Sequence, residues 1–174
     1  MAELLLELYS EEIPPQLQIS ARNQLKFFVE KFFAEKSIRY KEIKVLSSPT
    51  RLSLFIRDLP NKIKIQSKEL KGPKVGSPDN ILEGFIKAKN ISKKDLFERD
   101  TIKGKFYFIK TNPKNILVED LLRDILPKTL TSINWKKSMK WSNHALLWGR
   151  PLRSILALFN NRKISFKFDH LEVT

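Results

Sequence analysis

Leu4-Leu5-Leu6-Glu7-Leu8-Tyr9-Ser10-Glu11-Glu12-Ile13-Pro14-Pro15 is the stretch from which the fold can be read. Leu4, Leu6 and Leu8 alternate with Glu3 and Glu7, the period of two expected of a strand with one wet face, and Leu5 alone breaks it. Glu11 and Glu12 then precede two prolines, which places acids where a helix dipole favours them and prolines where a first helical turn tolerates them. Beyond them Leu17, Ala21, Leu25, Phe28 and Phe32 recur at spacings of four, four, three and four, one apolar stripe along a helix running toward Lys36. Two short apolar runs follow, Ile43-Lys44-Val45-Leu46 and Leu52-Ser53-Leu54-Phe55-Ile56. Ser47-Ser48-Pro49-Thr50 between them reads as a turn, so the runs are predicted to pair as antiparallel strands. The opening unit is therefore β-α-β-β.

From Asn61 to Gly76 the character changes: Lys62, Lys64, Lys68, Lys71 and Lys74 recur, and Gly72-Pro73 and Gly76 close the stretch. Ile63 and Ile65 alternate with lysines as in an exposed strand. The division expected here is a β-α-β-β module over residues 1–66 and a mixed α+β module over 67–174. Ser77-Pro78 reads as a cap and first turn of a helix with Ile81, Leu82, Phe85 and Ile86 on its apolar face, and Ser92 as a second cap ahead of Leu96-Phe97. Thr101 through Ile109 reads as a hairpin around Gly104. Asn115 is placed to cap a helix carrying Leu117, Leu121, Leu122, Ile125 and Leu126, which Pro127 should end or kink. Pro151 is read as opening another helix, with Leu152, Ile155, Leu156 and Phe159 inward. Asn160-Asn161 then turns the chain into an alternating strand, Ile164 through Phe168. The fold class expected is α+β, antiparallel strands with packed helices. The last residue, Thr174, follows that strand directly, as it would in a piece of a longer chain.

The chain has 174 residues, with 33 Lys plus Arg against 19 Asp plus Glu and a formal net charge of +14. Hydrophobic residues at 41% supply enough apolar surface for a folded core, which argues against a disordered basic tail. The absence of cysteine excludes disulfide scaffolds, thiolate zinc sites, thiol nucleophiles and iron–sulfur clusters. His144 and His170 are the only histidines, too few for a histidine-rich metal site. The amino terminus has acids and no basic residue before a very short apolar run, unlike a secretory signal, and no apolar run approaches the ~20 residues of a membrane span. A cytoplasmic, soluble protein is the expectation. The charge fits a polyanionic partner, but with 24 lysines to 9 arginines it fits codon bias equally well.

Two groups of residues invite a chemical reading. Glu7, Glu11 and Glu12 cluster at the strand-to-helix junction, either as paired carboxylates or as ordinary dipole partners. The segment from Trp135 to Arg153 holds all three tryptophans, interleaved with Lys136, Lys137, Lys140, Arg150 and Arg153. It reads as a surface that stacks on bases and holds phosphates, as a set of anchors for a protein partner, or as core tryptophans between solvated lysines. His144 by itself does not make a catalytic site. No phosphate loop, dinucleotide fingerprint, zinc-helix motif or nucleophile elbow is present, so no catalytic, cofactor-binding or metal residue is assigned.

Five motifs in order give a resemblance. Leu5-Leu6-Glu7-Leu8-Tyr9-Ser10-Glu11-Glu12-Ile13-Pro14 resembles the opening signature of the β subunit of bacterial heterotetrameric glycyl-tRNA synthetase, shifted by one residue around the first Glu. Ser48-Pro49-Thr50-Arg51-Leu52, Glu69-Leu70-Lys71-Gly72-Pro73, Trp135 through Trp141 and Trp148-Gly149-Arg150-Pro151-Leu152 are similar to later motifs of that family. Thr50 stands in place of an arginine there, Lys140 in place of another, Gly149 in place of a β-branched residue and Arg153 in place of a histidine. The resemblance implies that the chain is the amino-terminal part of such a subunit, the family's hydrolase-like and anticodon-binding domains lying downstream. It implies a glycine–tRNA ligase of two α and two β chains, in which ATP and glycine react on the α subunit and this region is inactive alone. The implied partners are the α subunit and tRNA(Gly), with no membrane. Glu7, Glu11, Glu12, Pro49 and Gly72-Pro73 would be architectural, and Lys71, Lys137, Lys140, Trp141, Arg150 and Arg153 are the candidate contacts with tRNA or the α subunit. The alternative is a stand-alone RNA-binding protein unrelated to glycine charging.

Overall fold

The computed structural model describes every residue except 66–68, 90–91, 102–103, 111–113, 142 and 174, and only the backbone of residues 65, 89 and 114. Lys68 of the lysine-rich stretch and the 102–103 tip of the predicted hairpin lie outside the described residues. Two compact units form, Met1–Ile63 with Ile116–Thr174, and Lys64–Asn115.

The first unit is built on a five-stranded antiparallel sheet. Its central strand is β1 (Ala2–Ser10), with β3 (Arg51–Leu59) on one side and β9 (Leu152–Phe159) on the other; β2 (Glu42–Ser47) and β10 (Arg162–Lys163) lie at the edges. Leu6 pairs with Leu54 of β3 and with Ala157 of β9, and all three are buried. The alternation of Leu4, Leu6 and Leu8 is thus the inner face of the sheet, as the sequence predicts. Leu5, which broke that alternation, lies on the other face between Phe55 and Leu158, where cross-strand neighbours half-cover it.

Helix α1 (Pro15–Glu35) starts with proline in its first turn and packs on β2, β3 and α3 (Val118–Ser132). Its buried stripe is Leu17, Ala21, Leu25, Val29 and Phe33. The predicted stripe leaves this line after Leu25, since Phe28 and Phe32 are only half-buried. A helix turns 3.6 residues at a time, so the adjacent pairs Phe28-Val29 and Phe32-Phe33 offer two stripes, and the sheet selects Val29 and Phe33.

Strands β2 and β3 pair as predicted, through a turn in which Ser48 and Arg51 exchange backbone hydrogen bonds. The turn at Asn160-Asn161 is also as predicted, with both residues in the left-handed region that Asn tolerates and tight hairpins require.

Four expectations are corrected, in whole or in part. Leu152 through Phe159 is strand β9, not a helix. The register against β1 shifts at Tyr9/Ser10, so Leu152 and Ile155 both point inward although three residues apart, a spacing that imitates a helix. Asn115 does not cap α3. It lies in β8 (Lys114–Leu117), which pairs with β4 (Lys62–Ile65), and the Val118 N–H donates to the Asn61 carbonyl at 3.0 Å, so the chain stays extended through Leu117. Of the two outcomes read for Pro127, ending the helix does not occur: α3 continues to Ser132 because Leu126, Thr129 and Leu130 are buried and hold the last turn on the core. The predicted strand from Ile164 to Phe168 is split: β11 (Phe166–Phe168) pairs with β12 (Leu171–Val173), while the buried Ile164 donates its N–H to Ala157 at 2.9 Å.

The second unit is a three-stranded antiparallel sheet of β5 (Glu69–Lys74), β7 (Gly104–Lys110) and β6 (Leu96–Thr101), with α2 (Asp79–Lys89) packed on β5. Ser92 forms a reciprocal capping box with Asp95 ahead of β6.

Truncating Leu6 to Ala removes side-chain contacts at the centre of the sheet and should destabilise the chain by about 2–5 kcal/mol. Leu46→Ala, at a position 61% exposed, should change stability by less than about 0.5 kcal/mol. Urea unfolding of the two variants measures the contrast.

Candidate functional site

The carboxyl end of β1 meets the start of β3 and the start of β9, so three segments distant in sequence converge where the chain enters α1. Ser10 donates its N–H to Thr50 at 2.9 Å, Ile13 to Pro49 at 2.6 Å and Glu11 to Pro151 at 3.0 Å. Side chains repeat the stitching. Arg153 pairs with Glu11 at 3.0 Å, the Arg150 Nε donates to the Glu12 carbonyl at 3.2 Å, and Arg51 pairs with Glu7 while lying over the Tyr9 ring. Tyr9, Ser10, Glu11, Glu12, Thr50, Arg150 and Arg153 line an open groove of about 520 Å³. Its two acids, Glu11 and Glu12, balance its two cations, Arg150 and Arg153.

The segment that follows α3 is held by tryptophan. Trp135 and Trp148 are both buried, their rings 4.9 Å apart, and Trp148 meets the edge of Phe168 at 5.8 Å. Met139 and Trp148 exchange backbone hydrogen bonds of 2.9 and 3.3 Å, closing the segment into a loop. A methyl group on Gly149 would meet the Trp135 ring at 2.4 Å, so no side chain fits there. The start of the loop is tied to α1 by Gln24, whose amide nitrogen donates to the Asn134 carbonyl at 2.9 Å and whose oxygen accepts the Asn134 N–H at 2.8 Å.

The loop therefore divides its residues by chemistry. Trp135 and Trp148 are core, while Lys136, Lys137 and Lys140 are exposed, and among the described residues no carboxylate pairs with them. Trp141 is half-buried against His144 and His170. The two histidines are stacked at 3.6 Å, and the His170 Nδ1–H donates to Asp169 at 2.8 Å, which holds the Asp169 carboxyl below its ordinary value. Lys71, in the second unit, lies over the Phe106 ring with its Nζ 3.4 Å from the centroid.

Of the candidate contacts, Lys137, Lys140 and Trp141 share this loop, and Arg150 and Arg153 share the groove with Glu11 and Glu12. Gln24 and the His170–Asp169 pair were not singled out by sequence reasoning. A polar residue on a helix carries no signal of what it will bind, and the two histidines are separated in sequence by strands β9, β10 and β11.

The fold and the site define an α+β module with a charge-balanced groove and a basic loop seated on buried aromatics, and no helix among the described residues is long and apolar enough to cross a membrane. Comparison with known proteins supplies the family. A sequence model described as the glycyl-tRNA synthetase beta subunit matches residues 4–174. The glycine–tRNA ligase beta subunit of Ruegeria sp. (strain TM1040) is 37% identical over 163 residues, 94% of this chain and 24% of the relative. That of Rickettsia akari (strain Hartford) is 34% identical over 171 residues, 98% of this chain and 26% of the relative. The chain belongs to the glycyl-tRNA synthetase β subunit family, and it spans about a quarter of the length of these relatives.

Gly149→Ala should destabilise the chain by about 1–3 kcal/mol, because neither the Trp135 ring nor the backbone can yield without disturbing Trp148. Arg153→Ala, which breaks an exposed pair, should cost less than about 1 kcal/mol. Chemical unfolding of both variants tests this ordering.

Proposed function

We propose that the chain is the amino-terminal region of the β subunit of a cytoplasmic glycine–tRNA ligase, a non-catalytic module that contacts tRNA(Gly) and docks the α subunit. On this reading the working enzyme has two α and two β chains, and ATP and glycine react on the α subunit. The observation that carries the RNA-binding part is the loop from Trp135 to Trp148, where buried indoles fix a short segment whose lysines project outward without carboxylate partners among the described residues. Cations carried on a fixed backbone suit a phosphate backbone, since little loop ordering remains to oppose binding. The groove suits a different task. Its arginines are already bonded to Glu11 and to the Glu12 carbonyl, so they brace the junction, and they meet a partner as a neutral, hydrogen-bonding surface.

The test has two arms. The full-length β chain should co-purify with the α subunit and the pair should charge tRNA with glycine, whereas the 174-residue chain alone should not; glycylation by that chain alone would overturn the assignment. Binding of the 174-residue chain to tRNA(Gly) should weaken with salt, and replacing Lys136, Lys137 and Lys140 together by Ala should make the slope of log affinity against log salt shallower by about 2–3. An unchanged slope would remove the loop from the RNA contact. Equal affinity for unrelated RNAs would favour the stand-alone RNA-binding reading.

A further inference from the structure

We propose that His144, His170 and Asp169 form a binding site for a transition-metal dication, zinc being the ion their chemistry suits best. One donor atom from each residue lies within 4.8 Å of the others. The cluster is assembled by two turns. His144 follows the bend in which its N–H bonds the Trp141 carbonyl, and Asp169-His170 is the two-residue connection between β11 and β12, with Asp169 in the left-handed region.

Each donor is chemically prepared. The 2.8 Å contact sets His170 Nδ1 and an Asp169 oxygen close to the spacing of two ligands on one ion, so a zinc ion would take the place of the proton between them. Imidazole nitrogen with carboxylate oxygen is a donor set that zinc accepts readily.

The rings lie parallel at 3.6 Å, with Trp141 edge-on to both at 5.8 and 6.4 Å. A tetrahedral zinc with bonds of about 2.0–2.1 Å holds its ligand atoms roughly 3.4 Å apart, so binding requires the stacked rings to turn until their nitrogen lone pairs converge on the ion. The side chains of His170 and Asp169 retain 20% and 23% of their exposure, which leaves an approach for the ion from solvent. Three protein donors leave one coordination position for water or for a donor from a partner. Bound zinc would clamp the β11–β12 turn to the loop that carries Lys136, Lys137 and Lys140.

Zinc titrated calorimetrically into the chelator-treated 174-residue chain should bind one ion per chain, raise the unfolding midpoint and alter Trp141 emission. His144→Gln and His170→Gln retain comparable bulk beside Trp141 and should each weaken zinc about tenfold or more, as should Asp169→Asn. Circular dichroism and the metal-free unfolding midpoint establish that each variant is folded. Failure of the wild-type chain to bind, or zinc affinity unchanged in the folded His144→Gln and His170→Gln variants, would overturn the site.

Discussion

Strand β1 is hydrogen-bonded on both sides, and most of the first unit follows from that. A central strand with Leu4, Leu6 and Leu8 on its inner face must be covered, and α1 supplies the cover with a stripe from Leu17 to Phe33. Burying three leucines contributes roughly 1.5–3 kcal/mol each, far more than any exposed ion pair in the molecule. Because both neighbours of β1 run antiparallel to it, the start of β3 and the start of β9 arrive at the end from which α1 departs. The junction of Glu11, Glu12, Arg150 and Arg153 is a consequence of strand direction.

The basic loop depends on the same frame at one remove. Trp148 packs edge-on with Phe168 in the core, Trp135 packs on Trp148, and Gly149 lets the Trp135 ring approach the backbone. Gln24 holds the loop's entry with a reciprocal pair of hydrogen bonds reaching across 110 residues of sequence. The lysines need no partner within the protein, because the indoles that flank them already fix the backbone. Rigidity at the apolar positions and freedom at the charged ones are what a nucleic-acid contact requires of a loop.

How much of this is legible in the sequence depends on whether a signal is local. The β-α-β-β opening reads directly, since alternation over Leu4–Leu8 and the four-residue steps after Pro15 are short-range patterns. Strand β9 reads as a helix because the register shift opposite Tyr9 and Ser10 places two inward residues three apart, and only the partner strand reveals the shift. Asn115 has the chemistry of a cap, yet its backbone is taken by strand pairing. In the Trp135–Arg153 segment the residue types are informative but their division is not. Trp135 and Trp148 are core, Trp141 is at the surface beside His144 and His170, and nothing in the order of the residues distinguishes them. The histidine pair is invisible for the same reason, being the meeting of a loop and a hairpin.

The central claim is that a loop anchored by Trp135 and Trp148 presents its lysines to tRNA while the β1 sheet stays intact. Hydrogen exchange of the full-length α and β assembly, followed by mass spectrometry with and without tRNA(Gly), tests it most directly. The account predicts that tRNA slows exchange in peptides covering Trp135 to Arg150 and leaves the already slow amides of β1 unchanged. Exchange in that loop unaltered by saturating tRNA, in an assembly that charges it, would contradict the account.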